Sequence, residues 1–200
     1  GDSITEHWMG TDVGVSRRSN APVQQVFRET FLDTSSTYKG LALGISGDVC
    51  GELLYRLQQG ELPDSLHPPV IWILMGANDL YHGCSMTSVL AGVINLVEYL
   101  YQARPDAIIV INSLLPALIP NRTVYEVPMN EFSEWINQKL ACYATASSSP
   151  ENVLFFNATP LFIDDRDYVI GMHDFVHPNG EGSRVWANAI VKQLDHIFGK

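Results

Sequence analysis

The chain has 200 residues, of which 46% are hydrophobic and 17% charged; this is the balance of one globular domain with a full core, not of a disordered segment. A net charge of −10, with only 12 Lys and Arg scattered along the sequence, excludes a nucleic-acid-binding surface, because phosphate recognition needs clustered cations. The three cysteines, Cys50, Cys84 and Cys142, contain no CxxC pair and form neither a disulfide framework nor a zinc pattern. No run reaches the roughly 18 apolar residues of a membrane helix.

In chain order, Gly1-Asp2-Ser3 followed by Ile-Thr-Glu reads as a turn that opens a helix. Lys39–Ile45 (KGLALGI) reads as a buried strand. Asp48–Gln59 follows as a helix, with Val49, Leu53, Leu54 and Leu57 on one face. Pro69–Met75 (PVIWILM) is a second buried strand, and Ser85–Gln102 a helix with Val89, Val93, Leu96, Val97 and Leu100 along one side. Ala107–Ile111 is a strand, Pro128–Ala144 a helix, Asn152–Phe156 a short strand and Gly180–Phe198 a terminal helix. Continuous apolar strands separated by helices predict a parallel sheet covered on both faces, a three-layer α/β domain. No repeat, low-complexity block or linker divides it, so residues 1–200 read as a single domain. Ligands of such sheets bind at the carboxyl ends of the strands, and Ile45-Ser46-Gly47-Asp48 and Gly76-Ala77-Asn78-Asp79 both fall there.

Four short blocks carry residues suited to chemistry. Ser3, after a glycine-led turn, has the placement of a nucleophile, although Asp2 or Ser3 serves equally as a helix cap. Gly47 lets backbone approach a ligand closely, and Asn78 offers a side-chain amide; both suit a developing negative oxygen, and both also suit ordinary turns. Asp174 stands three residues before His177, so that a carboxylate can orient an imidazole whose other nitrogen faces a nucleophile. His173, Asp174 and His177 are also a compact metal-ligand set, without further ligands in the sequence. There is no GxSxG elbow, Walker loop or GxGxxG. His7, His67, His82 and His196 have no partner pattern and read as structural or exposed; Trp8, Tyr81 and His82 are candidates for contact with a pocket. Asn121-Arg122-Thr123 and Asn157-Ala158-Thr159 are glycosylation sequons, meaningful only in a secreted eukaryotic protein.

Taken in order, these four blocks resemble the SGNH hydrolases, the GDSL esterase/lipase family. Gly1-Asp2-Ser3 looks like the first block, Gly47 the second, Gly76-Ala77-Asn78-Asp79 the third and Asp174-Phe175-Val176-His177 the last. The stretch from Gly44 to Leu57, with Gly60-Glu61-Leu62 and Leu114-Leu115-Pro116, is similar to the branch that holds the catalytic subunits of platelet-activating-factor acetylhydrolase. The resemblance implies a flavodoxin-like fold with sheet order 2-1-3-4-5. It implies Ser3 as nucleophile, His177 as base and Asp174 as orienter, with the Ser3 and Gly47 backbone N–H groups and the Asn78 amide as oxyanion donors. The implied reaction is hydrolysis of a small-molecule carboxylic ester, with short acyl or acetyl esters favoured, without metal or cofactor; a catalytically silent ligand-binding module on the same fold is the alternative. Two features depart from the family pattern. Ala42 replaces a frequent Asn, and the strand that precedes the family's first block is not in this sequence. The expectation is therefore a chain truncated before Gly1, with the segments at Lys39–Ile45 and Pro69–Met75 about 9–10 Å apart, two strand spacings.

Overall fold

The computed structural model of the protein describes residues 1–117, 123–124, 127–146 and 152–200. In chain order the elements are α1 (Ser3–Glu6), which continues as a 3-10 turn (His7–Met9), the hairpin strands β1 (Thr11–Asp12) and β2 (Val15–Ser16), and α2 (Ala21–Phe27). Next come α3 (Cys50–Arg56), β3 (Val70–Ile73), α4 (Ala77–Tyr81), α5 (Met86–Ala103) and β4 (Ile108–Asn112). The strands β5 (Thr123–Val124) and β6 (Val127–Pro128), the helix α6 (Met129–Thr145), β7 (Val153–Phe156) and α7 (Gly180–Phe198) complete the set. Among the described residues no helix is long and apolar enough to cross a membrane.

The chain divides into two units. The middle of the sequence forms a parallel sheet in the order β3-β4-β7, with Val70 opposite Ile108 and Ile109 opposite Val153. The central strand β4 is buried at Ile109, Val110 and Ile111, as a strand paired on both edges and covered by helices requires. The predicted stripe of α5 (Val89, Val93, Leu96, Val97 and Leu100) is wholly buried, each side chain contributing roughly 1.5–3 kcal/mol. Helix α5 packs on α3, α6 and β4, and α6 on β7. Ser85 caps α5 by accepting the Ser88 N–H, which makes its start legible in the sequence.

The other unit joins residues 1–46 to residues 160–200. Helix α2 lies against α7, and Trp8 packs on Phe27 and Trp186 at ring separations of 5.6 and 5.3 Å. Trp8 is thus a core residue of this unit, not a pocket residue.

One expected strand is absent. Lys39–Ile45 is extended but forms no ladder among the described residues, and Leu41 and Ile45 are 64% and 41% exposed, not buried. A strand is made by its partner's hydrogen bonds; this segment has a parallel-type bridge to Gly1, whose nitrogen donates to the Leu43 carbonyl (2.7 Å) and whose carbonyl accepts the Ile45 N–H (3.1 Å), and its Gly40 N–H donates to the Phe31 carbonyl (3.1 Å). The described parallel sheet accordingly has three strands where the order 2-1-3-4-5 calls for five. Two boundaries also move: α3 ends at Arg56 in a π-helical turn whose Gly60 has φ of 100°, and α6 begins at Met129, since Pro128 lies in β6. Asn157 of one sequon is exposed beside β7, while Asn121 and Arg122 of the other lie outside the described residues.

At Gly44 a Cβ would stand 2.5 Å from both the Asp2 carbonyl oxygen and the Glu6 backbone nitrogen. Backbone cannot yield as a flexible side chain can, so Gly44→Ala is expected to lower stability by about 1–3 kcal/mol, read as a shift in the urea unfolding midpoint; an unchanged midpoint would refute this packing.

Candidate active site

Helix α1 begins at the residue after Asp2, whose carboxylate accepts the Ile4 N–H at 3.0 Å. Asp2 is therefore the helix cap, which settles the ambiguity between Asp2 and Ser3 and leaves the Ser3 hydroxyl free for another partner. That partner is His177: Ser3 Oγ lies 2.8 Å from Nε2. The other ring nitrogen, Nδ1, is 2.8 and 3.0 Å from the two carboxylate oxygens of Asp174. A proton on Nδ1, directed at Asp174, leaves Nε2 as the acceptor for the Ser3 O–H, a tautomer assigned from the hydrogen-bond network.

The loop that carries Asp174 and His177 is held from three directions. Asp174 Oδ1 accepts the Val176 and His177 backbone N–H groups, each at 2.9 Å. Burial pushes the Asp174 pKa up, but these two donors and the imidazole outweigh it and hold the carboxyl below its usual range. His173 N–H donates to the His177 carbonyl, and Asn179 N–H to the Gly171 carbonyl, closing the loop at its base. Asn179 then caps α7 by accepting the Glu181 and Gly182 N–H groups, both at 2.9 Å. The terminal helix thus begins three residues after His177. His173 enters through its backbone, and among the described residues no three His, Cys, Asp or Glu side chains converge as a metal-ligand set.

Two groups around Ser3, His7 and Glu6, were given no place beside it by the sequence, and a third, Asp2, was read only as a candidate helix cap. His7 is buried, and its ring lies 4.4 Å from that of His177, tilted by 33°. Its position four residues after Ser3 is the signal that could have revealed it, since i and i+4 share a helix face. Burial first, then the neighbouring His177, lowers the His7 pKa from 6.5 to about 4. Asp2 is buried, and this desolvation raises its pKa from 3.8 to about 6. Glu6 is buried as well, but its pKa falls to about 2, because the desolvation is outweighed by backbone N–H donors that include Gly14 and Ser46.

Gly47 and Asn78 belong to the middle unit. Gly47 has φ of 93°, a left-handed conformation that favours glycine whatever the space around it. Its turn is fastened at the following residue: Asn78 Nδ2 donates to the Asp48 carbonyl at 2.9 Å, and Arg56 Nη2 pairs with the Asp48 carboxylate at 2.6 Å. Asp79, next to Asn78, accepts the Cys50 N–H at 3.1 Å and so ties α4 to the start of α3. One N–H of the Asn78 amide is occupied by Asp48, and an amide carries two.

Sequence comparison defines the class: residues 1–185 match the GDSL-like lipase/acylhydrolase family, and the chain belongs to that family. Among its relatives, it is 28% identical over 150 residues to human platelet-activating factor acetylhydrolase IB subunit alpha1 and 29% identical over 163 residues to the human alpha2 subunit. The alignments cover 75% and 79% of this chain but 58% and 63% of those proteins, so the chain spans about three-fifths of the curated relatives it matches. Among solved structures it is similar to a GDSL-like lipase from Bacteroides thetaiotaomicron, with TM-score 0.72 at 20% identity over 98% of this chain and 86% of that one. It is also similar to a catalytic mutant of an acetylxylan esterase from Geobacillus stearothermophilus, with TM-score 0.67 at 17% identity over 97% and 91% of the two chains. These likenesses establish the shared α/β fold.

The His7 pKa has a measurable consequence. A ring that is neutral down to about pH 4 when folded but protonates near 6.5 when unfolded binds fewer protons in the folded state. Its contribution to stability is full above pH 6.5 and is lost as the pH falls towards 4. Asp2 has the opposite sign, since its raised pKa makes stability fall as the pH rises from 3.8 to about 6. His7→Phe is therefore expected to shrink the loss of stability between pH 6.5 and 4.5, measured by denaturant midpoints across that range; an unchanged pH slope would contradict it.

Proposed function

We propose that the protein is a serine esterase that hydrolyses carboxylic esters through Ser3, His177 and Asp174 by way of an acyl-enzyme. The observation that carries this reading is the hydrogen-bonded series from Ser3 Oγ through both nitrogens of His177 to Asp174, in a chain of an acylhydrolase family. His177 Nε2 takes the Ser3 proton as Oγ attacks the ester carbonyl, Asp174 stabilises the imidazolium, and the proton passes to the departing alkoxide. Water then repeats the sequence on the acyl-enzyme and releases the acid. The family pattern assigns the negative oxygen to the Ser3 and Gly47 backbone N–H groups and the second N–H of Asn78. Short acyl, and above all acetyl, esters are the proposed substrates; the support is that relatives are named for acetylhydrolase and acetylxylan esterase activities. The residues invoked need no metal or cofactor for this chemistry.

The test is turnover of p-nitrophenyl acetate together with labelling by a fluorophosphonate. Ser3→Ala is expected to abolish the adduct and His177→Ala to abolish turnover, while Asp174→Asn lowers kcat by about 10⁴-fold through the wrong tautomer. A folded wild-type protein that forms no Ser3 adduct would return the chain to a ligand-binding role. Asn78→Ala is expected to lower kcat by about 10²–10³-fold with little change in KM; a change confined to KM would remove Asn78 from the oxyanion site.

A further inference from the structure

The imidazole of His177 is held in its own plane at two points, Nδ1 by Asp174 and Nε2 by Ser3. Both bonds are made at the ring nitrogens and leave the faces of the ring to other contacts. The histidine side-chain torsion next to the ring is broad and sets no sharp preference for the ring plane. A further contact is with His7, whose buried ring meets the His177 ring at 4.4 Å between centroids, with the planes tilted by 33°. His7 is itself anchored, because its backbone N–H donates to the Ser3 carbonyl at the end of α1 and its own carbonyl accepts the Gly10 N–H.

These supports are not equal through a reaction cycle of the kind proposed above, on which this inference rests. Once Ser3 is acylated, its Oγ has no proton to donate, and the Nε2 support is gone. Asp174 then holds one end of the ring, and the face contact with His7 is what opposes swinging about that end. We infer that His7 is a positioning residue that keeps the base in register during deacylation. In that step a water oxygen attacks the acyl carbonyl while His177 Nε2 takes one water proton. The bond between the acyl carbon and Ser3 Oγ then breaks, the proton moves from Nε2 to Oγ, and the acid leaves. The transient imidazolium rests against His7, and a neutral aromatic face tolerates a cation where a second imidazolium would repel it. The charged and titratable groups that act on His7 are His177, Asp12, Asp174 and Glu6, and burial keeps His7 neutral down to about pH 4.

The experiment follows p-nitrophenyl acetate hydrolysis by stopped flow in wild type, His7→Ala and His7→Phe, with fluorophosphonate labelling as a control. Wild type that neither labels nor turns over overturns both readings. With active wild type, His7→Ala is expected to lose about tenfold or more in kcat. KM should fall with it, leaving kcat/KM nearly unchanged, and p-nitrophenol should appear in a burst equal to the enzyme concentration. His7→Phe, which keeps a flat ring, is expected to restore steady turnover. Equal kcat in His7→Ala and wild type, a parallel loss of kcat and kcat/KM without a burst, or a failure of His7→Phe to rescue each overturns the role of His7 while leaving the esterase reading intact. If His7→Ala does not fold, as judged by circular dichroism, His7→Leu keeps most of the buried volume without a flat ring and carries the same expectations.

Discussion

The Glu6 carboxylate is the fastening on which the unit that holds Ser3 and His177 depends. Its oxygens accept three backbone N–H groups, from Val13 at 3.1 Å, Gly14 at 2.7 Å and Ser46 at 2.7 Å. Val13 and Gly14 form the two-residue turn of the β1–β2 hairpin, with φ of 51° and 72°. That geometry suits the twist of a hairpin but is unfavourable for a β-branched residue. Charge-assisted bonds to both turn amides offset the strain. Because Glu6 is the last residue of α1, the same carboxylate fixes one short helix, one hairpin and the backbone just ahead of Gly47. Ser3 and His7 stand on that helix, so their directions follow from where Glu6 is held.

Within this frame, the buried groups around Ser3 fall into three electrostatic conditions set by donors rather than by depth alone. Glu6 is buried with several amide donors and stays ionised; Asp2 is buried, its Oδ1 accepting the Ile4 N–H, and its ionisation is disfavoured; His7 is buried beside another imidazole and remains neutral. Asp174, more exposed than these, is kept ionised by the two amides of its own turn. The imidazole of His177 therefore meets a carboxylate at one edge and a neutral ring at its face.

The parts of this structure legible in the sequence are those in which short local patterns decide the outcome. The starts of α5 and α7, read at Ser85 and Gly180, fall within a residue of the observed ones, where Ser85 and Asn179 accept backbone N–H groups, and the apolar stripe of α5 was legible through its period. Ser3, Asp174 and His177 were readable as blocks because each block is a turn with its chemistry attached. What stayed hidden depends on partners far away in sequence. Lys39–Ile45 has a strand's composition but forms no ladder among the described residues, and composition does not report pairing. Glu6 carried no signal of its role, since its three donors come from a hairpin and from Ser46. Helix α2, at seven residues, is too short for its period to stand out. His7 was legible only through its spacing from Ser3, a clue that becomes visible once Ser3 has a partner.

Ser3 and His177 are separated by 174 positions, and the unit that holds them is drawn from both ends of the described chain while the parallel sheet comes from the middle. Closing so long a loop carries an entropic cost that local helices never face, and contacts of high sequence separation slow folding. During synthesis, the segment that carries Ser3 precedes His177 by 174 positions and waits for all of them. For that interval Trp8, Phe27 and the apolar face of α2 lack the surface of α7 that covers them, and such uncovered apolar surface is what chaperones recognise in a nascent chain. The arrangement therefore couples the contact between Ser3 and His177 to synthesis of the whole intervening stretch, and α7, which Asn179 caps just beyond His177, has to follow before the apolar surface of α2 is covered.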